Sequence, residues 1–315
     1  MPIGTVTDAT SGLTHRGIIV GGVPIGSNVF VRIKLHEKAT EIVEYIDATV
    51  ERLSEHPHAL WAALYYCCQS RFDYWLRHVA PYFTTGPAGL IDDALMRAVT
   101  VLTYQGCADD PLTRRRLRLP ARLRGCGLRD RRKLAPVAFA ACFIEAAEQM
   151  IDRSSLPGGP KDLRGYFPQL APVFGADAFD PGGHRLRDFC QTDLDTAGEL
   201  GEAWDDMLMV VLGSGVTGPL DLPLHDAGRN SGGHLQRQFT EHLEKIERNK
   251  LHRDIQLLPR TDTRRIAWLA VDRLSSQWVS AWPTHQTELS RDEMPEVMTT
   301  YLGRESAGAD AAAAA

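Results

Sequence analysis

The strongest chemical signal in the sequence is a basic segment, residues 111–133. Ten of its residues are Arg or Lys and one is Asp, so it carries +9 while the rest of the chain carries −14, which together give the net charge of −5. Guanidinium groups bind phosphate oxygens, and each such contact to a nucleic-acid backbone releases counterions. We therefore expect the segment to contact nucleic acid through six arginines: Arg114, Arg115, Arg116, Arg118, Arg122 and Arg124.

The chain also contains acidic residues that could neutralise the basic segment. Residues 151–315 carry 17 basic and 25 acidic side chains, a net charge of −8. Pairing with an acidic surface, in the same fold or on a partner, is another common use of a basic block. The alternative prediction is therefore a helical interaction protein whose basic segment docks an acidic partner.

A glycine-rich stretch, GIIVGGVPIG at residues 17–26, is the second candidate site. Dinucleotide-binding loops need G-x-G-x-x-G and phosphate-binding P-loops need G-x-x-x-x-G-K-[ST], and the stretch has neither spacing. Two β-prone runs, Ile18–Val20 and Val23–Ile25, flank a Gly21-Gly22 pair of the kind found in tight turns. The stretch therefore predicts a structural hairpin and not a phosphate cradle.

Two further groups have residue types suited to catalysis but lack the required context. Asp109 and Asp110 are followed by Pro111 and arginines, so the second strand of a two-metal polymerase hairpin cannot form, and a helix-ending turn is predicted instead. His56 and His58 flank a proline and belong to no H-E-x-x-H pattern. The sequence thus predicts no catalytic residue, no bound metal and no cofactor.

Composition indicates a globular protein outside the membrane. Hydrophobic residues make up 43% of the chain and charged residues 24%. No uncharged apolar run reaches the roughly 18 residues needed to span a bilayer. The six cysteines include no C-x-x-C pair and no secretory leader precedes them, which favours reduced thiols in an intracellular protein of the nucleus or cytoplasm.

Helical periodicity dominates the rest of the chain and predicts a mainly α fold: a helical bundle preceded by a short β-hairpin, with a second smaller helical region. The expected helices cover about 35–53, 57–79 (ended by Pro81), 91–102, 134–151, 195–212, 234–258 and 263–282. The expected organisation is a polar leader and hairpin (1–30), a helical domain (31–153), a Pro/Gly-rich connection (154–233), a second helical region (234–303) and a disordered tail (304–315).

Three motifs in this order resemble the region downstream of the catalytic palm in non-LTR retrotransposon reverse transcriptases. Gly22-Val23-Pro24-Ile25-Gly26 is similar to the LGxPIG hairpin of that family. Leu119-Pro120 and Gly127-Leu128 are similar to its LP…GGLGL segment, which leads into an Ala-rich helix, with Arg124 where the first glycine of the pattern stands. SSQWVSAWPT…LSRDEMPEVMTTYLG resembles the stretch that many such reading frames carry before a Cys/His-rich cluster.

The resemblance implies a primer-grip hairpin at Gly22, Pro24, Ile25 and Gly26, followed by a thumb-like helical bundle. Both would hold a template–primer duplex by its backbone. The [F/Y]-x-D-D box of the palm and the Cys/His cluster do not occur in the sequence. The expectation is therefore a fragment or decayed copy of an RNA-directed DNA polymerase that binds nucleic acid weakly and is inactive alone.

Overall fold

The computed structural model describes residues 4–8, 12–103, 109–139, 141–142, 235–272, 276–284 and 287–304. Within these ranges the chain is mostly helical, with a small antiparallel sheet at its N-terminal end, which confirms the predicted fold class. The Pro/Gly-rich region 154–233, with the helix expected near 195–212, and residues 305–315 of the expected tail lie outside the described residues.

The sheet contains three antiparallel strands in the order β1–β2–β3. These are β1 (Gly4–Thr7), β2 (Thr14–Val20) and β3 (Val23–Gly26). The predicted hairpin is confirmed as β2–β3, with Ile18 opposite Ile25. β1 was not expected, because its sequence, GTVT, contains only one buried apolar side chain, Val6, and gives no period-two signal.

The sheet leads directly into the long helix α1 (Asn28–Leu53). The hydroxyl of Ser27 accepts a hydrogen bond of 3.3 Å from the Phe30 amide in the first turn. The Phe30 ring lies against Gly17 so closely that a Cβ added at Gly17 would come within 2.3 Å of it. Glycine at this position therefore allows the sheet to contact the start of the helix.

The remaining regular elements are helical. In chain order they are α2 (Pro57–Ala62), a π-helical turn (Ala63–Cys68), α3 (Asp73–His78), α4 (Pro81–Thr100), α5 (Pro111–Arg118), a 3-10 turn (Ala121–Leu123), α6 (131–139, with 141–142 also helical), α7 (Leu235–Gln256), α8 (Thr263–Ala270), a second 3-10 turn (Gln277–Ser280) and α9 (Glu293–Leu302).

The helix predicted over 57–79 is divided, although most of its predicted apolar face is correct. Leu60, Leu64, Cys68 and Phe72 are all buried at strict four-residue spacing. On an α-helix such a row turns by about 40° per step, since one turn has only 3.6 residues. The π-helical turn, with a bond of 3.1 Å from the Gln69 amide to the Leu64 carbonyl, takes up the difference.

Two helix boundaries differ from prediction because of proline position or tertiary contacts. α3 ends at His78, before Pro81 as expected, but the helix expected from residue 91 begins earlier. Pro81 is the first residue of α4, where its missing N–H costs no intrahelical bond. The single helix expected over 263–282 ends at Ala270 instead. Farther along, the Val279 carbonyl accepts a 2.7 Å hydrogen bond from the Trp61 indole N–H in place of a helical one.

The chain divides into two compact units that interleave along the sequence. The first unit comprises the described parts of Met1–Glu37, Asp73–Ala88 and Arg131–Ile246, and the second those of Lys38–Phe72, Gly89–Asp130 and Glu247–Ala315. The hairpin belongs to the first unit, and the six predicted arginines belong to the second. The continuous ranges expected from the sequence stay a prediction.

Candidate nucleic-acid interface

Helix α5 carries the first four of the predicted arginines, and Asp110 sets where it begins. The Asp110 carboxylate accepts bonds of 2.8 Å from the Thr113 amide and 2.7 Å from the Thr113 hydroxyl, and it lies 2.9 Å from the Arg264 guanidinium. Burial alone would raise the pKa of Asp110, but these interactions outweigh it and the pKa lies below its usual value. The expectation of a helix-ending turn at Asp109-Asp110 is therefore wrong, because Asp110 caps the start of a helix.

Arg115 is held by two carboxylates of the same unit. It lies 2.6 Å from Glu247 and also forms an ion pair with Asp254. The two acids are two turns apart on α7 and so share one face of that helix. Burial alone would lower the pKa of Arg115, but the paired carboxylates outweigh it and raise the pKa. Arg115 therefore uses its charge to join α5 to α7.

Arg116 is almost fully buried, with 2% of its surface exposed. Its Nε donates a 3.1 Å hydrogen bond to the Arg124 carbonyl, and its guanidinium carbon lies 5.6 Å from the ring centroid of Trp268. Burial is the main cause that lowers the pKa of the guanidinium. A side chain in this position supports the fold and cannot reach a phosphate in solution.

The other predicted arginines fall into two classes. Arg118 lies 2.5 Å from the Asp130 carboxylate, and Arg124 donates a 2.8 Å bond to the Trp268 carbonyl. Arg114 and Arg122 expose their side chains to solvent. The sequence signal therefore combines arginines that hold the second unit together with arginines that are accessible to a partner.

The turn between α5 and α6 has two residues with positive φ and one glycine in close contact with the backbone. Arg124 has φ +72° and Gly127 has φ +78°, both in the left-handed region that favours glycine. A Cβ at Gly125 would lie 2.0 Å from the Leu119 carbonyl oxygen. The Gly127 amide donates a 2.7 Å bond to that same oxygen, which closes the turn.

The glycine hairpin of the first unit is fixed by aromatic side chains. Gly21 and Gly22 have φ of +56° and +85°, as a two-residue type I′ turn requires. The Tyr74 hydroxyl donates a 2.6 Å bond to the Gly21 carbonyl, and the Trp75 indole N–H donates a 3.0 Å bond to the Gly22 carbonyl. The two glycines form a tight turn, and side chains of α3 donate hydrogen bonds to its carbonyls.

The four residues predicted for the hairpin site differ in exposure. Gly22, Ile25 and Gly26 are exposed, whereas Pro24 is buried. A Cβ at Gly26 would lie 2.6 Å from the backbone of Arg16 and Gly17, so a larger residue would push β3 from β2. Three of the four residues are therefore accessible to a partner, and Pro24 is not.

The second unit contains a row of aromatic rings that sequence spacing does not reveal. Tyr65 and Tyr66, on the π-helical turn, have ring centroids 4.8 Å apart, and Tyr66 lies 5.6 Å from Trp282. Tyr66 and Trp282 are 44% and 60% exposed. The contributing segments are more than 200 positions apart, as the contact between Tyr66 and Ser280 illustrates. The only local signal for this row is that each segment contains exposed aromatic residues close together in the sequence.

The residue types that suggested metal or redox chemistry lie apart. Across the described ranges, no group of three or more His, Cys, Asp or Glu side chains is arranged to hold a metal ion. His58 Nδ1 accepts a 3.0 Å bond from the Leu289 amide, and burial lowers the pKa of this imidazole. Cys67 is exposed, whereas Cys68 and Cys126 are buried.

None of the helices in the described part of the chain has both the length and the apolar character needed to cross a bilayer. No protein-family model, no curated protein and no solved structure matches the chain.

Proposed function

We propose that the chain is the grip-and-thumb part of a non-LTR retrotransposon reverse transcriptase that binds the nucleic-acid backbone and does not polymerise on its own. The observation that carries the proposal is the backbone at Arg124, Gly125 and Gly127. These positions correspond to the three glycines of the family's GGLGL pattern, and each has a conformation or a contact that favours glycine.

The hairpin supports the same proposal independently. Gly22, the buried Pro24 and the exposed Ile25 and Gly26 follow the LGxPIG pattern, whereas Gly21 stands at the position of its leucine. A turn of this kind brings a backbone close to a ligand without a side chain in the way. In the proposed function, the exposed edge of the hairpin lies against the primer strand.

Exposed arginines of the basic segment supply the phosphate contacts in this proposal. Arg114 and Arg122 are accessible, whereas Arg115 and Arg118 are paired with carboxylates. Each phosphate contact to duplex DNA contributes about 0.9 to the slope of log affinity against log salt. Contacts by Arg114 and Arg122 therefore account for about −2 of the slope of log affinity against log salt, without sequence preference.

The test measures duplex binding by fluorescence anisotropy between about 50 and 200 mM salt. We expect Arg114→Ala combined with Arg122→Ala to reduce the salt slope by about two. Arg260→Ala, which removes an exposed arginine outside the segment, is the matched control and leaves the slope unchanged. Absence of duplex binding by the wild-type chain at the lowest salt contradicts the proposal.

Lack of catalysis has its own test. Phosphoryl transfer in polymerases requires carboxylates that hold two metal ions, and these 315 residues contain no [F/Y]-x-D-D box. We expect the purified chain to leave a primer on an RNA template unextended in the presence of Mg²⁺ and nucleotides. Extension that persists through purification contradicts this part of the proposal.

The Arg115 ion pairs favour a second candidate, a helical interaction protein whose basic segment binds acidic protein surface. Arg115 already contacts two carboxylates of the same chain, Glu247 and Asp254. This candidate predicts no nucleic-acid binding at low salt. The duplex titration therefore distinguishes the two functions.

A further inference from the structure

The exposed pair Tyr66–Trp282 lies beside the arginine-rich turn of the second unit. Tyr65 bridges the two features: its ring packs edge-on against Tyr66, and its Cε2 lies 2.6 Å from where a Cβ of Gly127 would be. The Arg129 amide donates a 3.2 Å bond to the Gln69 side chain, which fixes the turn on the π-helical segment. Tyr65 thus connects the aromatic pair to the turn of the basic segment.

Two exposed cationic side chains lie on segments that contact the neighbours of this aromatic pair. Arg129 is exposed and close enough to Tyr65 for its charge to lower the pKa of that phenol, although burial makes the net shift upward. Arg122, also exposed, lies in the Ala121–Leu123 turn that packs against the Gln277–Ser280 turn leading to Trp282. Glu288, the nearby acid in the Trp282 loop, faces His56 at 3.8 Å.

Hydrogen bonds hold the Tyr66 ring and the backbone that carries Trp282 before any partner binds. The Tyr66 hydroxyl donates a hydrogen bond to the Ser280 carbonyl. The Trp282 carbonyl accepts a 3.5 Å bond from the Thr287 hydroxyl, which also bonds the Thr284 amide at 3.1 Å. A fixed ring loses little conformational entropy when another ring stacks on it.

We propose that Trp282 and Tyr66 form a base-stacking platform for unpaired nucleotides, with Arg122 and Arg129 contacting the adjoining phosphates. Exposed aromatic rings within a cationic surface are the features that bind single strands without sequence preference, because every base has a π-face. The inference deepens the proposed function by adding single-stranded nucleic acid, such as the template beyond a duplex, to the ligands of the second unit.

The experiment compares three fluorescently labelled probes of about ten nucleotides: a single strand, a blunt duplex and an abasic single strand. We expect Trp282→Ala to weaken binding of the single strand by about five-fold or more. Binding of the blunt duplex and the abasic strand stays within two-fold of wild type, because neither offers an unpaired base.

Matched variants separate stacking from other roles of the tryptophan. Trp282→Phe keeps an aromatic ring and retains most of the affinity, whereas Trp282→Leu keeps apolar bulk and loses it. Tyr45→Ala removes an exposed ring outside the platform and serves as the control. Since Trp282 is mostly exposed, the circular dichroism and the melting temperature of these variants should match wild type.

Three results overturn the platform. One is unchanged single-strand binding by Trp282→Ala while the wild type binds the duplex with the expected salt slope, which leaves the proposed function intact. Another is a changed oligomeric state of Trp282→Ala in sedimentation velocity with unchanged binding, which assigns the rings to an interface between copies. Failure of the wild type to bind any probe at low salt overturns the platform and the proposed function together.

Discussion

The guanidinium carbon of Arg116 lies 4.7 Å from the ring centroid of Tyr301, so that a buried cation rests on an aromatic face. Tyr301 in turn donates a 3.1 Å hydrogen bond from its hydroxyl to the Gly125 carbonyl. Cation–π attraction is stronger where water is excluded. The pair therefore connects α9 to the glycine turn and gives the basic segment a structural role.

Arg116 tests that role directly. We expect Arg116→Ala to lower the free energy of unfolding by about 2–4 kcal/mol, because it leaves a cavity and removes the donor to the Arg124 carbonyl. Arg116→Met fills most of the volume and should cost about 1 kcal/mol or less. Urea denaturation measures both. Equal losses in the two variants, or weakened duplex binding by folded Arg116→Met, contradict a purely structural role.

Arg124 tests the strain at the turn. Arg124→Gly and Arg124→Ala remove the same contacts with Trp268 and differ only in how well they adopt a positive φ. We expect the glycine variant to be about 1 kcal/mol more stable in urea denaturation. The same two substitutions at exposed Arg253, in α7, provide the control. At position 253 the alanine variant should be more stable than the glycine variant by about 1 kcal/mol. If the alanine variant is also the more stable one at position 124, strain at the turn is ruled out.

Asp110 tests the dependence of stability on pH. Its pKa is lowered in the folded state, so its contribution is complete above the unfolded value of 3.8 and is lost as the pH falls through the lower folded value. Asp110→Asn keeps a side chain that can cap the helix but has no carboxylate to protonate. The stability of this variant should therefore fall less than that of the wild type as the pH is lowered. Asp110→Ala should also lower stability near pH 7 by about 1 kcal/mol.

Urea denaturation at a series of pH values measures this effect. Asp109→Asn changes the exposed neighbouring carboxylate and is the matched control. If the stability of Asp110→Asn falls at acid pH as steeply as that of the wild type, other carboxylates account for the fall.

The turn of the hairpin depends on two hydrogen bonds from α3. Tyr74→Phe and Trp75→Phe each remove one donor to a turn carbonyl and should each cost about 0.5–1.5 kcal/mol of local stability. Hydrogen exchange of the amides between Val20 and Val23 measures this opening. Unchanged exchange in the double variant contradicts a role for these side chains in fixing the turn.

Local patterns predicted the hairpin and the helical class because their determinants are close in sequence. Gly21-Gly22 between β-prone runs and the apolar spacing of α1 and α7 are of this kind. The 3-10 turn at Gln277–Ser280 could not be predicted, because the Trp61 side chain that binds the Val279 carbonyl lies about 200 positions away. Tertiary contacts override local propensity there.

The candidate site also combines features that local sequence predicts with features that depend on distant contacts. Composition located the basic segment, but it cannot distinguish Arg114, which is exposed, from Arg116, which is buried two positions later. On α5 those positions face different directions, and only the neighbouring helices decide which is covered. The aromatic pair Tyr66–Trp282 depends on two distant segments and gave no spacing signal.

Pairing of Arg115 with Glu247 and Asp254 affects how fast a partner arrives as well as how tightly it stays. The field that a distant polyanion feels comes from uncompensated surface charge, screened over about 10 Å in ordinary buffer. Glu247 and Asp254 offset two of the segment's nine net positive charges, so in the proposed function a diffusing nucleic acid is steered less strongly than the charge of the segment alone would give. Association should therefore be slower than that charge predicts, and short-range contacts should contribute more to the lifetime of the complex.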